Sequence, residues 1–259
     1  MKTNLLAAVS VVALTSGIVH AADIPMPTKA PIMAAPVFSW TGCYAGVHAG
    51  WGWARQNITE TNTSFTGLTF SNGIDANGGL GGGQVGCNYQ FSPNWVVGIQ
   101  GDFAAADLHG STIEGLFLGP PNTFDMKVES IASVTGRIGA TAWNNRALLY
   151  VKGGGAWAQT HWDLSNLGTP FAAFSTVNET RTGWTVGGGI EWAFLPSSPN
   201  WSAFAEFDHY DFGNKTFASG NTVGNFCSFG AGPLVHCFQT LSSSLRIETV
   251  KVGVNYRFY

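Results

Sequence analysis

The sequence predicts an all-β fold: an eight-stranded antiparallel transmembrane β-barrel of the up-and-down type. Three observations predict it. Apolar residues recur at every second position in eight segments of about ten residues each, the length a tilted strand needs to cross a bilayer. The connections between these segments alternate strictly between long and short. The composition is oily and glycine-rich (34 Gly, 13% aromatic, 10% charged), yet beyond the first 20 or so residues no unbroken apolar run approaches the roughly 18–20 residues of a spanning helix.

In chain order, Lys2, an apolar run from Leu5 to Leu14 and the small-residue ending Val19-His20-Ala21 read as a secretory signal over residues 1–21, with cleavage after Ala21 or Ala22. Residues 22–37 carry Pro25, Pro27, Pro31 and Pro36 and resist helix and sheet, so an extended periplasmic tether is expected there. The barrel domain is expected over residues 38–259, with folded structure beginning near Phe38. Removal of Lys2 leaves 11 basic against 15 acidic residues, a balance of −4 that lacks the basic stripe a nucleic-acid binder needs.

The first strand sets Cys43, Ala45, Val47, Ala49, Trp51 and Trp53 on one parity and Tyr44, Gly46, His48, Gly50 and Gly52 on the other. The second opposes Val85, Cys87, Tyr89 and Phe91 to Gln84, Gly86, Asn88 and Gln90. Six more follow, apolar set first: Trp95–Phe103 against Gly98, Gln100 and Asp102; Val134–Ala140 against Thr135, Arg137 and Gly139; Leu149–Trp157 against Tyr150, Lys152 and Gly154. The last three are Trp184–Trp192 against Gly187 and Glu191, Trp201–Phe207 against Glu206 and Asp208, and Val250–Phe258 against Lys251, Gly253 and Arg257. Residues 92–94, 143–147 and 195–200 are short turns, whereas 54–78, 107–126, 159–182 and 213–243 are long and rich in Asn, Thr, Ser and Gly. Four long loops on one side and three short turns on the other are what an outer-membrane barrel requires, with both termini in the periplasm. The composition of 57–75 and 213–230 suggests mobile loops.

Aromatics cluster at the two strand ends. Trp40, Tyr89, Phe91, Trp95, Trp143, Trp192, Phe194, Trp201, Tyr256 and Phe258 mark the short-turn side, and Trp51, Trp53, Phe103, Trp157, Trp184 and Phe207 the other. Two such girdles match the two membrane interfaces. A Lys or Arg facing lipid at mid-membrane costs about 2–4 kcal/mol. Asp102, Arg137, Lys152, Glu191, Glu206, Lys251 and Arg257 share the polar parity and are therefore expected inside, paired in a lumen too narrow for much besides side chains. Gly98, Gly139, Gly154, Gly187, Gly189 and Gly253 make room for them.

Phe38-Ser-Trp-Thr-Gly-Cys-Tyr-Ala-Gly, Gly82-Gly-Gln-Val-Gly-Cys-Asn-Tyr-Gln, Asn94-Trp-Val-Val-Gly-Ile-Gln-Gly-Asp and the ending Val252-Gly-Val-Asn-Tyr-Arg-Phe resemble the small outer-membrane β-barrel proteins of alphaproteobacteria, the RopB-type family. The resemblance runs from the signal to the C-terminus and weakens in the long loops. It implies an abundant surface protein of the cell outer membrane, surrounded by outer-membrane lipid and lipopolysaccharide and inserted by the barrel-assembly machinery. Some relatives are described as hemin-binding. It implies no substrate and no catalytic residues. Such barrels usually end on an aromatic that serves as the assembly signal. Here Tyr256 and Phe258 keep the apolar parity and Tyr259 is one residue extra.

The remaining motifs carry little chemistry. Gly81-Gly-Gly83-Gln-Val-Gly86 matches the dinucleotide pattern, but no helix follows it. In an exported chain disulfides are the default: Cys227–Cys237 closes the last long loop, and Cys43 with Cys87 makes either a cross-strand bridge or two lipid-facing thiols. Their spacing gives no zinc pattern, so no metal and no cofactor is expected. His48 is a lumen position; His109, His161 and His236 lie in separate long loops and would meet hemin if the loops converge. His209 beside Asp208 and Asp211, with an unspecified loop Ser, is the one enzymatic constellation worth naming, and an interfacial structural His is the simpler reading. The sequence thus predicts a non-enzymatic structural surface barrel, with a hemin-binding protein or a small porin as alternatives.

Overall fold

The computed structural model describes residues 38–62, 68–114, 122–166, 175–195, 198–218, 227–229, 235–237 and 240–258. The signal, the tether and Tyr259 lie outside these residues. Eight long strands form the wall: β1 (Gly42–Asn62), β2 (Leu68–Ser92), β3 (Trp95–Glu114), β4 (Asn122–Ala142), β5 (Ala147–Asn166), β6 (Ser175–Trp192), β7 (Trp201–Ala218) and β10 (Thr240–Phe258). A small hairpin, β8 (Cys227–Phe229) and β9 (Val235–Cys237), interrupts the connection from β7 to β10. The wall is a closed antiparallel barrel in the order β1-β10-β7-β6-β5-β4-β3-β2. Every neighbouring pair is consecutive in the chain except β7 with β10 and the closing pair, β1 with β10, as an up-and-down meander demands.

The strands run for 18–25 residues, about twice the expected length. Much of 57–75 and 213–230, expected as mobile loop, is regular strand. The reason is a change of surroundings along each strand. Near the short turns the outward residues are apolar and exposed: Val47 63%, Val85 61%, Ile99 67% and Val252 58%. A continuous belt of this kind does not face water in a soluble protein. Along β10 it runs from Val250 to Phe258; nine residues at roughly 3.3 Å each, tilted about 40°, span about 23 Å, close to the roughly 25 Å of a membrane barrel's apolar band.

Beyond Trp51, Trp53, Phe103, Trp157, Trp184 and Phe207 the parity inverts. Outward positions become Arg55, Asp107, His109, Asp163, Asp211 and Arg246, and inward ones become Ile58, Ile74, Leu108, Met126, Val128, Ile131, Leu245 and Ile247, all buried. Water lies outside this part, so the hydrophobic effect now drives apolar side chains inward, each large one contributing about 1.5–3 kcal/mol. The wall also changes there. The β2–β3 register ends at Asn77↔His109 and the β6–β7 register at Trp184↔Asp211. The other neighbours pair to the strand tops, for example Asn62↔Leu68, Thr61↔Thr240, Asn122↔Asn166 and Ala218↔Thr240. Above the membrane the barrel thus becomes two four-stranded sheets, β3-β4-β5-β6 and β7-β10-β1-β2, facing each other across an apolar filling.

Interior glycines permit the narrow bore below. A Cβ on Gly82 would lie 1.9 Å from the Phe103 carbonyl oxygen, and one on Gly154 2.1 Å from that of Val134. Gly81, Gly83 and Gly86 sit within β2, and β3 follows after a two-residue turn. Cys43 and Cys87 are directly opposed in the β1–β2 register and joined by a disulfide, with Cα atoms 3.9 Å apart. The hairpin register sets Cys227 opposite Cys237.

Candidate functional site: the filled lumen and the outer wall

From the periplasmic mouth upward, the interior is occupied in three storeys. The lowest is built by the segment that precedes β1. Trp40 is a correction to the aromatic girdle: it is 0% exposed and lies inside, packed with Phe38, Val96, Leu148 and Tyr150. Its backbone N–H donates to Gln90 Oε1 (2.9 Å) and its indole N–H to the Asn145 carbonyl (2.9 Å). Asn145 also donates to the Phe38 carbonyl. It comes from a turn in which Trp143, Asn144 and Asn145 all have φ between 48° and 66°, a conformation asparagine tolerates better than most residues. From the last strand, the Arg257 guanidinium lies 4.5 Å from the Trp40 ring and 5.0 Å from that of Phe38, and donates to the Ser39 carbonyl (3.1 Å). Residues 38–40 are thereby clasped across the mouth by Gln90, Asn145 and Arg257.

The middle storey is charged. Arg137, held between the rings of Tyr44 (4.8 Å) and Tyr150 (4.9 Å), donates to Asn88 (2.8 Å) and Glu191 (3.2 Å). Glu191 also accepts from Ser202 (2.6 Å) and Asn255 (3.0 Å) and lies 3.8 Å from Arg257. Lys152 pairs with Glu206 (2.5 Å) and Asp208 (3.1 Å), and Lys251 with Asp208 (2.8 Å), Asp102 (3.2 Å) and Glu206 (3.2 Å). Tyr150 ties the two groups together, its ring lying against Arg137 and its hydroxyl donating to Glu206 (2.9 Å), while the chain Tyr44–Gln100–Gln84–Asn255 (2.8, 3.0 and 2.8 Å) braces the first group and ends on Glu191. All seven lumen residues named from the sequence meet here. Asp208, which that set omitted, completes it: Arg137, Lys152, Lys251 and Arg257 face Asp102, Glu191, Glu206 and Asp208, all buried, so the charges balance. His48 Nε2 lies 2.8 Å from Asp102 Oδ2 at the edge of this cluster.

The upper storey is the apolar filling between the two sheets, closed on top by polar reach. Arg181 extends from β6 to β10, donating to the Ser243 carbonyl (3.2 Å) and hydroxyl (3.0 Å), and Gln56 donates to the same hydroxyl. Above Trp184 the gap between β6 and β7 is crossed by a Glu179–Lys215 ion pair.

On the outer wall, His109, Lys127 and His161 lie side by side in register on β3, β4 and β5. With Asp75, Asp125 and Asp163 they line a cleft of ≈ 590 Å³. His109 Nε2 contacts Asp107 (2.7 Å), as does Lys127 (3.0 Å); His161 Nε2 contacts Asp163 (3.3 Å). The hydrogen bond from Lys127, with help from His109, holds the Asp107 carboxyl below its usual range. Two of the three histidines considered for hemin thus share one cleft; the side chain of His236 lies outside the described residues. His209 is separated from Asp208 by the wall: Asp208 points inward, while His209 lies outside, 5.8 Å from the Trp184 ring and 3.7 Å from Glu248. Among the described residues no group of three or more His, Cys, Asp or Glu is arranged to hold a metal ion.

The outer membrane protein beta-barrel domain model matches residues 28–258. The chain belongs to the outer-membrane β-barrel protein family. Within it, the 31 kDa outer-membrane immunogenic protein of Brucella melitensis is 32% identical over the whole of both chains. The 25 kDa outer-membrane immunogenic protein of Brucella abortus is 25% identical, over 90% of this chain and 85% of its own. Among solved structures, the attachment invasion locus protein Ail of Yersinia pestis matches with a TM-score of 0.36 at 16% identity, covering 84% of this chain and 99% of Ail. The outer membrane protease OmpT of Escherichia coli matches with a TM-score of 0.47 at 9% identity, covering 86% and 99%. This outer-membrane barrel therefore resides in the cell outer membrane, and its apolar belt is its lipid contact.

Proposed function

We propose that this outer-membrane barrel is a non-enzymatic structural and surface protein: a sealed, membrane-anchored stalk that carries its extracellular sheets and connections away from the lipid surface. One observation carries the reading. The lumen is filled from one mouth to the other, by the Trp40 stopper, the balanced charge network and the apolar filling. A small porin needs a continuous water-lined path, and three successive packed layers oppose one. The relatives' names, outer-membrane immunogenic proteins, support display at the cell surface. Planar-bilayer recording of the refolded protein tests the sealed lumen: no stable unitary conductance is expected, and large, stable single-channel currents would overturn it.

A second reading, hemin or another surface ligand, is favoured by the outer cleft. His109 and His161 are two strands apart, roughly 10 Å at the backbone, with Lys127 between them. That spacing suits one histidine on an iron and the lysine on a propionate. Hemin titration followed by the Soret band tests it. If the reading holds, His109→Ala or His161→Ala abolishes the shift seen with the intact protein while His236→Ala does not. No shift in the intact protein removes it.

A further inference from the structure

On the outer wall of the β7-β10-β1-β2 sheet, one row of the ladder holds four charged residues. Arg55 on β1 is directly opposite Arg246 on β10; Asp75 on β2 stands opposite Arg55, and Asp211 on β7 opposite Arg246. The order across the wall is Asp75, Arg55, Arg246, Asp211. Two like charges placed directly opposite each other destabilise a sheet. The aspartates relieve this by contact from the flanks, and Glu248, one row lower on β10, adds a weaker attraction on Arg55. Arg55 Nε contacts Asp75 (2.9 Å) and Arg246 Nε contacts Asp211 (3.2 Å). Each contact holds the inner edge of a guanidinium and orients it, and the terminal Nη groups of both arginines have no partner among the described residues. The arginine side chains are 72% and 66% exposed, so no described residue covers the pair.

The height of the row matters as much as its charge. Trp53 is two residues below Arg55 and belongs to the outer aromatic girdle. Two residues of a tilted strand rise about 5 Å, which places the guanidinium pair at the lipid headgroup level of the outer leaflet, on the face that touches lipid. One row lower, Glu248 is turned towards His209 (3.7 Å). Paired guanidinium forks match the geometry of a phosphate, which can accept from both at once.

We infer that Arg55 and Arg246 form a binding site for the phosphate of an outer-leaflet lipid, a phosphorylated glycolipid seated against the β1–β10 wall. Asp75 and Asp211 are the positioning residues that aim the two forks. The site is separate from the sealed lumen; it shares Asp75 with the rim of the histidine cleft, whose other lining residues lie on the β3-β4-β5-β6 sheet.

The test uses the refolded mature chain in detergent, with native mass spectrometry reading retained lipid. Bisphosphorylated lipid A is compared with the same lipid stripped of both phosphates. The protein is expected to retain the phosphorylated form at least roughly ten-fold better, and Arg55→Gln or Arg246→Gln to lower that preference several-fold each. The double variant is expected to lose the preference while keeping the heat-dependent gel shift of a folded barrel. Lysine at both positions keeps part of it, because an ammonium cannot make the forked contact. Inorganic phosphate at millimolar concentration leaves lipid retention unchanged; complete displacement by it would make this a free-anion site and overturn the lipid assignment. Wild-type retention by the double glutamine variant, or an equal loss in Lys127→Gln on the opposite wall, would overturn the site itself.

Discussion

At the scale of single residues, the sign of each interior charge is set by what it touches across the bore. Lys251 contacts Asp102, Glu206 and Asp208, and no water-exposed position is available to any of them. Removing one partner of a buried network leaves uncompensated charge, at a cost of about 3–5 kcal/mol. Lys251→Met is expected to destabilise the folded barrel by that order in urea unfolding from lipid vesicles, and adding Asp208→Asn to restore part of it. A full additive loss in the double variant would show that the two residues act independently. The seven charges were legible in the sequence because a charge cannot face lipid, which leaves only one face for it. Trp40 was not, because an aromatic beside a turn satisfies the girdle and the mouth equally well. What separates them is the Arg257 contact, 217 positions away. At the C-terminus, Phe258 is outward, 52% exposed and packed edge-on against Tyr256 at 5.2 Å. Phe258→Ala is therefore expected to impair insertion more than deletion of Tyr259, read as the unshifted band on heat-modified gels. Equal or reversed defects would assign the signal to the last residue instead.

At the scale of elements, strand identity was legible and strand length was not. Period two with the apolar set outward holds only where lipid is outside. Past the outer girdle Ile58, Ile74, Leu108, Met126, Leu245 and Ile247 take the inner parity and Arg55, His109 and Arg246 the outer one. A strand whose pattern inverts midway reads as a strand followed by an irregular polar loop. The seams follow from the same change. In lipid every backbone group must be paired within the barrel, whereas above the membrane water can take over. The β6–β7 ladder accordingly stops at Trp184↔Asp211, and only side chains such as Glu179 and Lys215 cross higher up. Hydrogen exchange tests this. The amides of Asn178–Thr182 and Asn214–Thr216 that point into the seam, rather than towards β5 or β10, are expected to exchange at least ten-fold faster than those of Thr185–Glu191 and Phe204–Asp208 lower in the same two strands. Uniform protection along both would mean that the seam is zipped in solution.

At the scale of the whole molecule, the inversion of parity is a ruler for the membrane. Below it the barrel is inside out, with charges buried and apolar residues exposed; above it the same strands make an ordinary two-sheet sandwich with an apolar interior. Only one solvent boundary satisfies both halves, and it runs through the outer girdle. β5 carries a tryptophan on each side of that boundary: Trp157 faces outward at the girdle, 40% exposed, and Trp162 packs inward against the upper apolar filling. Quenching by lipids brominated at defined depths distinguishes them in variants that keep one of the ten tryptophans and carry phenylalanine elsewhere. Trp157 is expected to be quenched, more by bromine near the headgroup than at the bilayer centre, because girdle rings sit at the interface. Trp162, five residues further along and on the opposite face, is expected to be quenched at no depth. Quenching of Trp162 at any depth would put the upper storey within the bilayer, where the outward Arg55 and Arg246 would each carry a lipid-exposure cost of up to about 2–4 kcal/mol. That cost is why the boundary cannot lie higher, and the exposed belt ending at Val250 is why it cannot lie lower.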